Sequence, residues 1–137
     1  MSDHNYLVNR LYDLVPELIE RFPGIEVLYL FGSQATGKAG VKSDVDLAVF
    51  LTDEGLRDNP CLDLEIGHFL EKRLGYPVDI VVMQKVSPIL QHQVLAHGVR
   101  LYELNPERRA MMEAISFKRY LDARHFQQKR LEASLHG

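Results

Sequence analysis

A chain of 137 residues, 46% hydrophobic and 26% charged, has the size and balance of one soluble domain, with room for one core and little for a second. Its formal net charge of −3 gives no strong pull toward nucleic acid or anionic membrane, and no apolar run approaches the roughly 18 residues that span a bilayer. The single cysteine, Cys61, excludes an internal disulfide and a cysteine-based zinc site, and the first fifteen residues lack the basic and apolar regions of a signal peptide, so a cytoplasmic location is expected.

In chain order, residues 5–21 place Tyr6, Leu7, Leu11, Leu14, Val15, Leu18 and Ile19 at helical spacing, with Pro23-Gly24 as a stop and Pro16 predicting a kink or a broken start. Residues 26–31 (EVLYLF) read as a short buried strand, and 32–43 as a polar, glycine-containing stretch. Residues 44–51 (DVDLAVFL) read as a second strand, and 52–59 as a loop ending in Asn59-Pro60. An amphipathic helix is predicted over 61–74, with Leu62, Ile66, Phe69, Leu70 and Leu74 on one side and Gly75 as its end signal. Residues 77–83 (PVDIVVM) give a third strand, 88–97 a helix stopped by Gly98, and 99–104 a fourth strand.

Asn105 as N-cap and Pro106 at the first helical position then open a long final helix, whose apolar set is Ala110, Ala114, Phe117, Leu121 and Leu131. The order predicts a single α/β (α+β) domain over 1–137, with one small mixed sheet of about four strands flanked by helices. The link at 32–43 is too short for a usual parallel crossover, so part of the sheet is expected to be antiparallel. Charge divides along the chain: residues 1–104 carry 9 Lys/Arg against 15 Asp/Glu, a net of −6, and residues 105–137 carry 7 against 4, a net of +3. The basic tail reads either as a solvated helix face or as a docking surface for an acidic partner.

Three features carry chemistry. Gly32-Ser33 ends a buried strand; glycine allows a close backbone approach, and the serine hydroxyl with the free N–H groups of a turn can hold phosphate oxygens. Alone, such a pair is an ordinary turn. Asp44-Val45-Asp46 opens the next strand with its two carboxylates on one face, flanked by apolar residues; the pair is either a strand-start cap or, because adjacent like charges are costly to desolvate, a divalent-cation site suited to Mg²⁺. Asp79 interrupts an apolar strand, where burial would demand a partner, a backbone cap or a metal. If its strand lies beside that of Asp44 and Asp46, the three carboxylates can form a metal-plus-base site.

Gly32-Ser33, ten intervening residues, and Asp44-Val45-Asp46 resemble the GSx10DxD pattern of the DNA polymerase β-like nucleotidyltransferase superfamily. The framing LYLFGSQATGKAGVKSDVDLAVFL is similar to that of the MNT-domain (MntA-type) antitoxins, which are encoded beside a HEPN-domain ribonuclease toxin (HepT). This resemblance covers residues 28–51 most specifically and extends more weakly through PVDIVV to about residue 83, with ILQHQVLAHGVRLYE (89–103) also family-like. It implies a nucleotidyltransferase fold with a catalytic core at about 24–104 and a C-terminal helix at about 106–134. It further implies AMP transfer from ATP to a tyrosine of the toxin, which would silence its RNase. Carried over residue by residue, Gly32 and Ser33 would bind the triphosphate, with Lys42 and Ser43 as further contacts; Asp44 and Asp46 would hold Mg²⁺, and Asp79 would complete the metal site or act as base. Gln34 and Thr36 stand where basic versions of this loop carry arginine, and Lys38 lies nearby as a further phosphate contact.

The expected partner is the HEPN toxin, in a hetero-oligomer, with Lys118, Arg119, Arg124, Lys129 and Arg130 of the final helix as its contact; neither membrane nor direct nucleic-acid binding is expected. Two other functions compete: a nucleotidyltransferase for an aminoglycoside or a nucleic-acid end, and a non-catalytic antitoxin that masks its toxin. The short chain argues against the drug, the acidic body against nucleic acid, and the intact set of aspartates against mere masking. Among the remaining residues, His92 and His97 are spaced five apart, not as a helical metal pair, and read as surface or packing residues; Tyr29, Phe31, Phe50 and Phe69 read as core, and Cys61 as a packing residue.

Overall fold

A computed structural model of the chain describes residues 3–32, 35 and 44–136, with the side chains of 3–5 and 136 left aside. Helix α1 (Asp3–Arg21) leads into strand β1 (Ile25–Phe31), and β2 (Val45–Leu51) follows. A short helix α2 (Asp53–Asp58), helix α3 (Leu62–Leu74), strand β3 (Val78–Val82), a 3₁₀ turn (Met83–Lys85), helix α4 (Pro88–His97), strand β4 (Val99–Glu103) and the long helix α5 (Pro106–His136) complete the order. The four strands form one sheet in the order β3-β2-β1-β4. β1 pairs antiparallel with β2 and β4, whereas β2 and β3 run parallel, which is the mixed sheet expected from the sequence.

Both faces of the central strands are covered, so their sequences are almost continuously apolar rather than alternating. On one face Leu28, Leu30, Val45, Leu47, Val49 and Leu51 pack with Leu7, Leu11 and Leu18 of α1 and Ile66, Phe69 and Leu70 of α3. On the other, Val27, Tyr29, Ala48 and Phe50 pack with Val94 of α4, and Leu90, Leu95 and Met112 close around them. Each fully buried side chain of this size contributes about 1.5–3 kcal/mol, enough to hold the sheet in register while its end carries strained and charged groups.

Several local expectations are corrected. α1 runs unbroken through Pro16, because buried Leu7 and Leu11 before it and Leu18 after it hold both halves on the sheet. Residues 52–59 are not simply a loop: the Thr52 side chain accepts a hydrogen bond from Gly55 N–H and caps α2, whose first turn carries Asp53 and Glu54. Cys61 is exposed at the start of α3 rather than packed.

The largest correction concerns α5. Asn105 caps it as predicted, its Oδ1 accepting from Arg108 N–H at 3.0 Å, but Ala110, Ala114, Phe117, Leu121 and Leu131 are all exposed. The body-facing side is Arg109, Met112, Glu113, Ser116 and Tyr120. Polar residues can face inward there because each finds a partner: Ser116 Oγ–H donates to Gln91 Oε1 at 2.7 Å, Gln91 Nε2–H donates to the Met83 carbonyl at 2.5 Å, and Tyr29 O–H donates to Glu113 at 2.8 Å. The His92 ring stacks on Tyr120 with centroids 3.7 Å apart, which is the packing role read for it. Among the described residues no helix is long and apolar enough to cross a membrane.

Candidate active site

At one end of the sheet, three strands bring Phe31, Asp46 and Asp79 into one row: Phe31 is the cross-strand partner of Asp46, and Asp46 is the partner of Asp79. Neighbouring strands lie about 4.8 Å apart, and partners in one row point to the same face. Because Val45 and Leu47 turn into the core shared with α1 and α3, Asp46 points to the opposite face, and Asp79 beside it does the same. The pairing that brings the two carboxylates together thus follows from the alternation of VDLAVFL and the parallel register with VDIVV. Val45 N–H donates to the Pro77 carbonyl at 2.9 Å, which fixes that register at the level of the site.

Asp44 lies just ahead of β2, exposed, and its charge is felt at Asp46. Burial first, and then the negative charges of Asp79 and Asp44, hold the Asp46 carboxyl above the ordinary aspartate range. Among the described residues no Lys or Arg forms an ion pair with any of the three. A carboxylate partly withdrawn from water and facing two like charges is the electrostatic condition that a divalent cation relieves. Among the described residues no group of three or more His, Cys, Asp or Glu is placed to hold a metal ion, so Asp44, Asp46 and Asp79 do not converge as a three-carboxylate cage and a metal here would need ligands from substrate and water. An open carboxylate set of this kind suits Mg²⁺, which keeps water and substrate phosphate among its ligands.

Asp79 departs from the reading of a buried charge. β3 is an edge strand and Asp79 is exposed, so its solvation needs no internal compensation. Gly32 closes the site from the β1 side. Its φ is +73°, a left-handed conformation that side chains resist, and an added Cβ would lie 2.5 Å from Asp46 Oδ2. Close approach at Gly32 was legible in the sequence, but the group approached is the Asp46 carboxylate. Ser33, Lys42 and Ser43, the other triphosphate contacts expected from the sequence, lie outside the described residues, as do Gln34, Thr36 and Lys38.

Two side chains that hold strands in place, one beside the site and one at the far end of β2, escaped the sequence reading. Glu71 Oε1 accepts a hydrogen bond from Val78 N–H at 3.0 Å, so a side chain of α3 holds the edge strand one residue before Asp79. At the far end of β2, Gln84 Oε1 accepts from Leu51 N–H at 3.2 Å and Gln84 Nε2–H donates to the Leu51 carbonyl at 2.7 Å, extending the ladder with a side-chain amide. Neither has a short-range sequence signal, since each acts across a turn or between strands. A hollow of about 800 Å³ lined by Arg21, Glu26, Asp53, Glu65 and Arg108, among others, lies at the opposite end of the sheet. Glu26 is five residues from Phe31 along β1, a separation of about 17 Å, so this hollow is distinct from the aspartate row.

The class follows from this arrangement together with one comparison: a family model described as "Polymerase beta, Nucleotidyltransferase" matches residues 15–107, and the chain belongs to that nucleotidyltransferase family. Among its relatives, "Protein adenylyltransferase MntA" of Aphanizomenon flos-aquae (strain 2012/KM1/D3) is 32% identical over 110 residues, covering 75% of this chain and 73% of the relative. Two solved structures share the fold. One, a toxin-antitoxin with AMP-PNP, superposes with a TM-score of 0.74 at 22% identity, covering 90% of this chain and 98% of that one. The other, a tri-AMPylated Shewanella oneidensis HEPN toxin in complex with MNT antitoxin, superposes with a TM-score of 0.71 at 20% identity, covering 93% and 98%.

Proposed function

We propose that the protein transfers AMP from ATP to a tyrosine hydroxyl of a HEPN-domain toxin, and so acts as that toxin's antitoxin. The observation that carries the chemistry is the register pairing of Asp46 with Asp79, beside Asp44 and beneath the left-handed Gly32. The choice of AMP and of a protein acceptor rests on the kinship with protein adenylyltransferase MntA and on the fold shared with the AMPylated toxin's antitoxin.

Asp44, Asp46 and Asp79 would hold Mg²⁺, which when bound offsets charge on the phosphate oxygens and lowers the pKa of an attacking hydroxyl. The side chains of this protein do the rest. Gly32, having no Cβ, leaves the Asp46 carboxylate in place and open toward the nucleotide. Ser33, Lys42 and Ser43 follow as contacts to the triphosphate. The tyrosine oxygen bonds to the α-phosphorus as the bond to the α–β bridging oxygen breaks, and pyrophosphate leaves with that electron pair. The phenolic proton passes to Asp79, whose exposure on the edge strand lets a protein-borne acceptor reach it. We assign the reaction to the cytoplasm, the compartment that supplies ATP and keeps an exposed cysteine such as Cys61 reduced.

The test incubates the protein and its toxin with Mg²⁺ and ATP labelled at the α-phosphate. Covalent label on the toxin, lost with Asp44→Asn or Asp46→Asn while the fold persists, is the expected result. A tight complex that never acquires label would show that the protein neutralises by masking instead.

A further inference from the structure

The body-facing side of α5 ends at Ala123, and every described side chain from Arg124 to Leu135 is exposed. At about 1.5 Å per residue, this is about 18 Å of helix that the rest of the domain does not touch. It continues a helix already nucleated on the body, so it can form without a partner, but its apolar side chains stay in water unless something covers them. The exposed apolar residues are also ordered. Ala110, Ala114, Phe117, Leu121, Leu131 and Leu135 fall on one stripe at alternating spacings of four and three, and Arg124 and Gln128 occupy its two middle positions. This spacing is that of a coiled-coil seam, adjacent to the face that packs on α4 and touching it only at Phe117, whose ring lies 6.1 Å from that of His92. The exposure is large: 51% at Phe117, 45% at Leu121, 64% at Leu131 and 75% at Leu135.

We infer that this stripe is the surface on which the partner docks, and that the partner presents an amphipathic helix with apolar residues facing Leu121 and Leu131 and an acidic residue facing Arg124. The inference rests on the antitoxin reading. Charge selects the occupant. Arg124 stands inside the seam and Lys118 flanks it, with Glu132 as the acidic flanking residue of the free part, on a segment of net charge +3 over residues 105–137. An acidic helix gains from that field, whereas a second copy of this chain brings the same positive charge to it. A parallel self-pairing would also set Arg124 against Arg124. The contact expected from the sequence is therefore refined: the apolar stripe supplies the binding area, and the basic residues set the identity and orientation of what binds.

The test measures complex formation by the full-length protein with its HEPN toxin, using calorimetry and sedimentation, alongside label transfer from ATP. The variants are Leu121→Asp with Leu131→Asp, and Arg124→Glu alone. The altered side chains are exposed, so helicity, melting temperature and affinity for Mg²⁺-ATP should stay as in the wild type. The double variant should bind the toxin on the order of 100-fold more weakly, and Arg124→Glu about 10-fold more weakly with a reduced salt dependence. If the wild type labels the toxin and the double variant binds and labels it equally well, the docking surface lies elsewhere and the adenylylation reading stands. If the wild type sediments as a homodimer that the double variant dissociates, with toxin affinity unchanged, the occupant is a second copy and the inference is overturned. If the wild type neither binds nor labels the toxin, the antitoxin reading falls and the inference with it.

Discussion

Replacing Gly32 with alanine tests the site through a single methyl group. The residue sits at φ +73°, and an L-residue held there costs about 1–2 kcal/mol. On a domain of this size that lowers Tm by about 3–10 °C, which a fold with both sheet faces covered tolerates. The new Cβ would stand 2.5 Å from Asp46 Oδ2, where ordinary contact begins at 3.4 Å, so the carboxylate must retreat by about 1 Å. A shift of that size in a group that positions reacting atoms costs about 100-fold in rate, or about 2.7 kcal/mol of barrier. Label transfer from ATP to the toxin, followed at saturating and limiting ATP beside a thermal melt, measures both effects. The expected variant is folded, modestly destabilised, and about 100-fold slower. A Gly32→Ala protein that melts lower but transfers AMP at the wild-type rate would refute the reasoning, because it would show that the Asp46 carboxylate need not stay where it is.

Three further outcomes follow from the same geometry. Because burial and two like charges raise the Asp46 pKa above 3.8, its ionisation opposes folding of the metal-free protein at neutral pH, and the penalty fades as pH falls through the raised value toward 3.8. Asp46→Asn should therefore raise the apo melting temperature at pH 7, and the gain over wild type should shrink as the buffer is acidified; differential scanning at several pH values reads this, and a variant less stable at pH 7 would contradict it. Glu71→Ala removes the acceptor for Val78 N–H beside Asp79; a stability loss of about 0.5–1.5 kcal/mol and slower label transfer are expected, and unchanged transfer would show that β3 holds its register without the side chain. Tyr29→Phe deletes the bond from β1 to Glu113 of α5, and denaturant unfolding should show about 1 kcal/mol lost with transfer intact, whereas a loss of transfer would tie that network to the site.

The members of the aspartate row were legible one by one from local rules, while their meeting in one row depended on a strand pairing that the sequence left conditional. VDLAVFL declares a strand buried on both faces, so its one interior carboxylate stands out; a glycine closing EVLYLF marks a turn that a side chain cannot enter. What escaped depends on contacts distant in sequence. Asp79 reads as a buried charge until the strand order places β3 at the edge. The stripe on α5 has the periodicity of a core face, but Glu113 and Ser116 take the inward side because Tyr29 and Gln91 await them 84 and 25 residues away. The short helix at 53–58 carried a local sign, Thr52 followed by two acids, which the Asn59-Pro60 turn overshadowed.

The measurement that bears most directly on the central claim is a crystal of the protein with a non-hydrolysable ATP analogue and Mn²⁺ in place of Mg²⁺, examined for anomalous scattering. The account predicts a manganese peak against the Asp46 and Asp79 carboxylates, with the triphosphate running past Gly32. Nucleotide seated in the hollow between Arg21 and Arg108, with the aspartate row bare of metal, would contradict it.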